Sequence, residues 1–140
     1  FDVSKTYVDS YGGFYTWYAA TAGTGTQLLS TQGQNATASI CPKGWRLPTG
    51  GDDGEFKTLY NNYNSSSVIR SNPVNLTLSG FVYFSTRFHY NSNGSYWSST
   101  VYSNSEVYYL KLENTSYNLY VYPVTASAKY DGFAVRCIAR

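Results

Sequence analysis

From residue 76 onward, apolar and polar residues alternate with a period of two, the pattern of half-buried β-strands. The alternation predicts short strands at residues 76–78, 81–84, 107–112, 119–122 and 133–138. In the last of these, Phe133, Val135 and Cys137 would share one face. Polar, turn-rich stretches at residues 90–95, 102–106, 114–118 and 125–131 separate the predicted strands. This half of the chain therefore predicts a small antiparallel sheet with long polar loops.

An earlier segment has helical rather than strand periodicity. Apolar and aromatic residues recur at i, i+3, i+4 and i+7, at Phe56, Leu59, Tyr60 and Tyr63. Asp52 and Glu55 stand three apart, as in a capping box whose N-cap is Asp52. Upstream, residues 14–18 predict a strand that leads into a helical turn at residues 17–20, and residues 21–39 predict mostly loop. The whole chain, residues 1–140, is predicted to form one α+β domain with one or two helices.

Composition argues against two classes of partner. The chain has 140 residues, a formal net charge of +2 and only 13% charged residues, whereas a nucleic-acid-binding domain needs a dense basic surface. No apolar run approaches the roughly 20 residues of a membrane-spanning helix. The 16 tyrosines, 7 phenylalanines and 3 tryptophans, with no methionine, favour an aromatic, β-rich protein. We expect neither nucleic-acid binding nor membrane insertion.

The two cysteines, Cys41 and Cys137, fit either one disulfide or two buried thiols. Few Lys and Glu residues and abundant Tyr, Ser, Thr and Asn are typical of exported proteins, which favours the disulfide and an extracellular or cell-surface location. A Cys41–Cys137 bridge would close a loop of about 95 residues, worth about 4 kcal/mol in the loop-entropy model. In the alternative, Cys137 is a small core residue of the last strand.

Four features follow one another along the chain: GWRLPT at residues 44–49, a helix with an aromatic core position at Phe56, YWSS at residues 96–99 and GFAVRC at residues 132–137. In this order they resemble the C-type-lectin-like fold and, within it, the bacterial Fibrobacter succinogenes major paralogous domain family. The formylglycine-generating enzyme family is similar more distantly. The resemblance implies paired N- and C-terminal strands and loops gathered on one side of a small sheet. It also implies that Trp45 and Leu47 lie in the core, that Trp97 packs beneath the loops, and that Cys137 is bridged back towards the helix region.

Some proteins with this fold are the variable proteins of diversity-generating retroelements. In these systems a reverse transcriptase rewrites adenines in a C-terminal gene segment, so asparagine codons scatter towards Tyr, Ser, Asp and Gly. Residues 89–96 and 102–105 of this chain have that composition. A loop rich in Ser, Tyr and Asn also arises without a retroelement, so both origins stay open at this point.

The segment crowded with Tyr, Ser and Asn is the candidate binding surface. Tyrosine gives a large contact area at low entropic cost, and Ser, Gly and Asn give adaptable hydrogen bonds, as in antibody binding loops. We predict ligand contacts from His89, Tyr90, Ser92, Asn93, Tyr96, Tyr102, Ser103, Asn104, Ser105, Glu106, Tyr117, Asn118, Lys129 and Tyr130. In the alternative several tyrosine rings of this segment are core or cross-strand packing, above all Tyr108 and Tyr120, which lie on predicted strands.

This chain lacks the residues that two activities of the similar families require. Calcium-dependent sugar binding uses a Glu-Pro-Asn or Gln-Pro-Asp triplet together with Trp-Asn-Asp, whereas Trp97 is followed by two serines and neither proline triplet occurs. The oxidase activity of formylglycine-generating enzymes implies a reactive cysteine pair, and only Cys137 lies in the C-terminal half. Glycan binding by stacking on tyrosine, without calcium, stays open.

Catalytic and metal chemistry has few candidate residues. His89 is the only histidine, and a hydrolase triad or zinc site needs several converging groups. The run Asp52, Asp53 and Glu55 offers oxygens to calcium, but helix capping explains it more simply. We therefore predict a non-enzymatic recognition module, without cofactor or metal, for a protein or glycan ligand. The alternatives are a structural cell-surface or appendage domain and, third, a degenerate enzyme related to the formylglycine-generating family.

Overall fold

The computed structural model describes residues 12–26, 29–63 and 66–140, so the first residues of the predicted domain lie outside it. Its helices are α1 (Trp17–Ala20), α2 (Glu55–Asn62) and α3 (Ser66–Ile69). Its strands are β1 (Trp45–Arg46), β2 (Phe81–Tyr83), β3 (Thr86–Phe88), β4 (Asn93–Val101), β5 (Glu106–Asn114), β6 (Leu119–Ala128) and β7 (Ile138–Ala139). Short helices and small antiparallel sheets confirm the α+β prediction. None of the helices in the described ranges is long and apolar enough to cross a membrane.

The main sheet has three antiparallel strands in the order β4-β5-β6, and two smaller sheets pair β1 with β7 and β2 with β3. The predicted strands at residues 81–84, 107–112 and 119–122 are confirmed, with β5 and β6 longer than predicted. Residues 76–78 form no strand, and residues 133–138 contribute only isolated bridges at Phe133 and Ala134 before β7 begins. The predicted polar stretch at 125–131 is wrong in its first part, because β6 continues to Ala128.

Strand β4 lies at the centre of the molecule. One edge pairs with β5, and at the other edge the Trp97 amide donates to the Ala134 carbonyl at 3.1 Å and the Val101 amide to the Gln34 carbonyl at 2.8 Å. All 9 residues of β4 are buried. The predicted polar turn at residues 90–95 is therefore wrong from Asn93 onward. Polar side chains are tolerated here because they have internal partners, as where the Ser98 hydroxyl donates to the Tyr108 carbonyl at 2.7 Å.

Alternation along the main sheet produces two unlike faces. On one, the closed face, Tyr96, Leu110 and Leu112 pack against Phe56 of α2 in a continuous apolar cluster. On the other, the open face, polar side chains such as Ser95 alternate with them along the same strands. A second apolar cluster covers only one end of the open face, built around Trp17, Trp97, Val107 and Phe133.

The helix after the first motif begins differently from the prediction. Gly54, not Asp52, is the N-cap of α2, and the first helical amide, that of Glu55, donates to the Thr49 hydroxyl at 3.0 Å. Glu55 instead accepts two hydrogen bonds from the Arg46 guanidinium, both at 2.6 Å, and one from the Thr49 amide at 2.9 Å. The capping-box prediction is wrong because Arg46, from the preceding motif, reaches the carboxylate that the box would have used.

The motif residues have mixed outcomes. Leu47 and Trp97 are buried as predicted, and the disulfide between Cys41 and Cys137 is present with Cα atoms 5.8 Å apart. The prediction that Trp45 lies in the core is wrong, since its side chain is 47% exposed. Trp45 belongs to the two-residue strand β1, which pairs with β7 outside both apolar clusters. The disulfide therefore ties this small terminal sheet to the body of the domain.

Candidate functional site

The predicted ligand-contact residues do not form one surface. Strand β5 separates the 102–105 turn from the 115–118 turn, and its 9 residues span about 27 Å. Lys129 lies at the first end, because its amide donates to the Ser105 carbonyl at 3.0 Å. Ser92 lies at the second end, because its carbonyl accepts from the Asn114 amide at 2.6 Å. The predicted display region is thus divided between opposite ends of the sheet.

At the first end, the 102–105 turn is closed by its own backbone. The Tyr102 and Ser103 amides both donate to the Glu106 carbonyl at 3.1 Å, and the Ser103 hydroxyl accepts from the Glu106 amide. Tyr102 is exposed but rests edge-on against the Tyr108 ring, with centroids 5.2 Å apart. Asn104 and Ser105 are exposed beside them. Tyr108 itself is buried, so the packing alternative is correct for that ring.

At the second end, the 115–118 turn is closed by Thr115, whose amide donates to the Asn118 carbonyl at 2.9 Å. Tyr117 is 92% exposed and Asn118 is also exposed. Ser92 is half-buried, and its hydroxyl donates to the His89 carbonyl at 3.0 Å. His89 and Tyr90 are exposed on the preceding loop.

Three predicted contact residues, Asn93, Tyr96 and Lys129, are buried. Asn93 opens β4, where its carbonyl accepts from the Gly80 amide at 2.6 Å. Tyr96 lies in the closed-face core, where its hydroxyl donates to the Thr77 carbonyl and accepts from the Thr77 amide, both at 2.8 Å. The expectation that Tyr96 is displayed is wrong because its ring is buried in the core and its hydroxyl is hydrogen-bonded to the backbone of exposed Thr77.

Lys129 is the third buried residue, and its ammonium group is hydrogen-bonded inside the protein. Its ammonium donates to the Leu29 carbonyl at 2.7 Å and to the Asn104 carbonyl at 2.8 Å. It also lies 5.3 Å from the centre of the Trp17 ring, a distance at which the ring attracts a cation. Burial lowers the pKa of Lys129 below its usual range. The side chain holds the 102–105 turn in place and is not available for a ligand.

A cleft on the open face brings other residues together. It lies between the β2–β3 hairpin and the sheet, has a volume of about 390 Å³, and we call it the hairpin cleft. Its lining residues are Phe81, Tyr83, His89, Asn93, Ser95, Tyr109, Lys111, Glu113, Ser127, Asp131 and Phe133. Two predicted contact residues, His89 and Asn93, are among them. Apart from Glu113, the other lining residues come from predicted strands or from segments that were expected to be loop.

The hairpin is fixed to the rest of the domain at its first strand. Val82 and Gly132 exchange two backbone hydrogen bonds, each 2.8 Å long. A Cβ atom on Gly132 would lie 2.8 Å from the Val82 Cβ, so only glycine permits this approach. At the base, the Phe81 ring stacks on His89 with centroids 5.5 Å apart and meets Phe133 edge-on at 6.2 Å. On the hairpin side, the wall of the cleft therefore consists of rings that contact one another.

Asp131 gives the cleft its electrostatic character. The residue is only 6% exposed, and its Oδ2 accepts a hydrogen bond from the Ser127 hydroxyl at 2.6 Å. Its Oδ1 is buried without a hydrogen-bond partner among the described residues. Burial raises the pKa of Asp131, against the opposing effect of hydrogen bonds from Ser127 and the Ala128 backbone. Burial also raises the pKa of Tyr109 to about 12, helped by the negative charges of Asp131 and Glu113.

The other charges of the cleft compensate each other. The Lys111 ammonium lies 2.8 Å from a Glu113 carboxylate oxygen. Within the described ranges, the carboxylate of Asp131 has no Lys, Arg or His nitrogen within 4.0 Å, since the ion pairs found there join Arg46 to Glu55 and Lys111 to Glu113. Lys111 and Glu113 thus offset each other, and Asp131 is the acidic residue of the lining that has no ion-pair partner among the described residues.

Exposed rings border the cleft on two sides, and we call them the aromatic rim. On the hairpin side, Phe84 is 76% exposed and contacts Tyr83 with centroids 4.4 Å apart. Phe84 also stacks on Tyr130, which is 59% exposed, at 6.5 Å. On the sheet side, exposed Tyr120 and Tyr122 stack at 6.4 Å, beside Lys111. Of the predicted contact residues, Tyr130 belongs to this rim.

Sequence reasoning missed most of the cleft, although some signals were present. Phe84 and Ser85 both have positive φ angles, 44° and 65°, so the chain reverses there and presents the Phe84 ring at the tip. The polar residues Ser85 and Thr86, directly after the aromatic run, were the sequence signal for that turn. Asp131 next to Gly132 was a second signal, since glycine often marks a close backbone approach.

The described residues contain no cluster of three or more His, Cys, Asp and Glu side chains able to hold a metal ion. The arrangement that they do contain is an aromatic-walled recess with a buried carboxylate, one of whose two oxygens lacks a hydrogen-bond partner, and it suits a ligand that brings hydrogen-bond donors. No protein-family model, curated protein or solved structure matches the chain.

Proposed function

We propose that this protein is a non-enzymatic recognition module, and that the hairpin cleft with its aromatic rim is its ligand-binding surface. The observation that carries the proposal is the concentration of exposed rings around one polar-floored recess. Exposed contiguous aromatic surface is uncommon on proteins that bind nothing, and aromatic side chains supply much of the energy in binding interfaces.

The rim has the properties of a binding anchor. Phe84 and Tyr130 lose little conformational entropy when bound, because each ring has only two rotatable side-chain angles. The two rings already stack on each other, so their relative positions are set before a ligand arrives. The Val82–Gly132 hydrogen bonds fix the hairpin that carries Phe84. Such preorganisation reduces the entropic cost of association.

This proposal moves the binding surface away from the two turns that the sequence favoured. Tyr102 packs on Tyr108, and Tyr108 lies on the closed-face side of β5, one residue out of phase with Tyr109. Tyr117 is exposed, but no ring contact joins it to the rim in the described structure. The 102–105 and 115–118 turns therefore serve as internal comparisons for the cleft.

The C-type-lectin-like resemblance and retroelement diversification belong to the same proposal. Two observations support the resemblance: Tyr15 and Phe133 exchange hydrogen bonds of 2.9 and 3.0 Å near the two ends of the chain, and Cys137 is bridged to Cys41. The disulfide also fits the proposed extracellular or cell-surface location. A nearby reverse-transcriptase gene with an imperfect copy of the 3′ end, differing mainly at adenines, would establish diversification. Its absence would remove that part alone.

The proposal is tested by selecting a ligand from a library and then measuring how variants of the aromatic rim bind it. The protein would be screened against a random-peptide display library and a glycan array, and affinity for the best ligand would be measured by calorimetry. In the double variant Phe84→Ser/Tyr130→Ser we expect at least about tenfold weaker binding, since truncated aromatic anchors commonly cost 2 kcal/mol or more. The unfolding free energy should change by less than about 1 kcal/mol, because both side chains are exposed.

The matched control is Tyr102→Ser, another exposed tyrosine that lies outside the rim. We expect it to bind like the wild type. Equal weakening by the control and the double variant would contradict the placement of the site. A ligand whose affinity depends on Tyr102 or Tyr117 but not on the rim would place the binding surface on the 102–105 or 115–118 turn.

A further inference from the structure

We infer that the hairpin cleft receives a basic side chain, lysine or arginine, of a protein partner, with the Asp131 carboxylate as its acceptor. This inference rests on the proposed function and specifies its ligand. It starts from the carboxylate oxygen Oδ1, which is buried and unpartnered among the described residues. An ionised carboxylate offers about four acceptor positions, and a buried carboxylate oxygen that is left without a donor is costly.

The charge of the lining selects the sign of the ligand. Glu113 is paired with Lys111 at 2.8 Å, so the remaining charge is that of Asp131. A single positive group would neutralise the cleft, whereas a second anion would meet a buried like charge. A neutral sugar hydroxyl could hydrogen-bond to Oδ1 but would leave its charge uncompensated. The lining therefore favours a cation over a glycan.

The aromatic walls fit the same ligand. Phe81, Tyr109 and Phe133 line the recess with Asp131, and their ring carbons give it an apolar wall. The aliphatic stem of a lysine or arginine can pack on these rings while its charged end reaches the carboxylate. An aromatic wall and one acceptor therefore recognise both parts of a long basic side chain.

The size of the recess limits what can enter. Its volume of about 390 Å³ is near the lower end of the roughly 300–1,000 Å³ typical of ligand pockets. One long side chain fits such a space, while the backbone that carries it would stay outside, on the aromatic rim. Phe84 and Tyr130 would then contact the residues that flank the inserted side chain, which explains why the exposed rings border the cleft.

The test uses defined probes on the whole chain. Amide resonances of ¹⁵N-labelled protein would be followed during titration with N-acetyl-lysine methylamide and N-acetyl-arginine methylamide. N-acetyl-norleucine methylamide, which has an apolar side chain of similar length, is the uncharged control, and a methyl glycoside tests the glycan reading. We expect the two cationic probes alone to shift the amides of Ser95, Tyr109, Ser127 and Asp131.

A pair of variants tests the acceptor. Asp131→Asn keeps the size of the side chain and removes its charge, and we expect the affinity for the lysine probe to fall about tenfold, as for loss of a charge-assisted hydrogen bond. Asp52→Asn removes an exposed carboxylate outside the cleft and should bind like the wild type. Equal affinity of the Asp131→Asn variant and the wild type would overturn the inference.

Three wild-type results would also overturn it, so the test does not depend on the folding of any variant. They are no shift with either cationic probe, equal shifts with the norleucine probe, and cleft shifts with the glycoside alone. If the probes fail while a selected ligand still depends on Phe84 and Tyr130, only this inference fails and the proposed function stands. A selected ligand that is indifferent to the rim would instead remove the proposed function.

Discussion

The two faces of the main sheet use the same strands for different purposes. On the closed face, Leu112 and Tyr96 are sealed against helix α2 and its neighbours. On the open face, one residue away along the same strands, Ser95 and Lys111 form the floor of a recess. Because neighbouring side chains of a strand point to opposite faces, one strand supplies core residues to the closed face and cleft residues to the open face. Changes on the closed face should cost folding free energy, and changes on the open face should cost binding.

The largest effect should come from cutting back an aliphatic core residue. Leu112→Ala removes a fully buried side chain from the closed-face cluster, and we expect a loss of about 2–5 kcal/mol in the free energy of unfolding. The adjacent open-face change Lys111→Ala should cost less than about 1 kcal/mol, because its ion pair is partly exposed. Urea unfolding measures both. Comparable losses would show that the two faces are not energetically distinct.

A smaller loss is expected from one hydroxyl on the closed face. Tyr96→Phe leaves the ring in place but deprives the Thr77 amide and carbonyl of their partner. We expect a loss of about 0.5–1.5 kcal/mol, the usual net contribution of a hydrogen bond, because Thr77 is exposed and its backbone groups can turn to water. Tyr130→Phe is the control, since its ring is exposed on the rim, and its midpoint of thermal unfolding should be unchanged. A stable Tyr96→Phe variant would mean that water replaces the hydroxyl.

The Arg46–Glu55 pair should contribute roughly 1 kcal/mol, because both side chains are partly exposed and solvent screens their interaction. Hydrogen bonds from Arg46 hold the pKa of Glu55 below its usual range. The stabilisation is therefore fully present above the unfolded-state pKa and is lost as the pH falls through the lower, folded-state pKa. Glu55→Gln should remove this acid-dependent part of the unfolding curve. An unchanged pH profile would contradict the assignment.

Asp131 should show the opposite and smallest pH effect. Its pKa is raised in the folded state, chiefly by burial, so ionisation opposes folding. Its contribution is most favourable below the unfolded-state pKa and is lost as the pH rises through the folded-state pKa. The Asp131→Asn variant should lack this loss and unfold at an equal or higher temperature than the wild type at neutral pH. A clearly less stable variant would indicate that the charge supports the fold rather than a ligand.

The sequence predicted features that depend on local pattern. Alternation identified β2, β5 and β6, and composition identified the disulfide. The alternation pattern failed for β4 because its Ser and Thr residues are polar but buried. Their hydroxyls have hydrogen-bond partners inside the protein, as that of Ser98 has in the Tyr108 carbonyl. It also treated tyrosines alike, although Tyr96 is buried and Tyr130 is exposed.

The cleft could not be predicted because its parts lie far apart along the chain. Phe81, Glu113 and Asp131 meet only through the β4–β5–β6 register and the Val82–Gly132 bridge. No spacing in the sequence encodes those pairings directly. The residue types of the turns predicted which loops are exposed. Exposure alone did not show which exposed residues border the cleft.

The most direct test of the account is a hydrogen-exchange footprint with a ligand obtained by selection. Amide exchange would be compared between the free and the bound protein over the whole sheet. The account predicts slower exchange in residues 81–90 and 127–133, with the 102–105 and 115–118 turns unchanged. Protection confined to those two turns, with none along the hairpin, would contradict it.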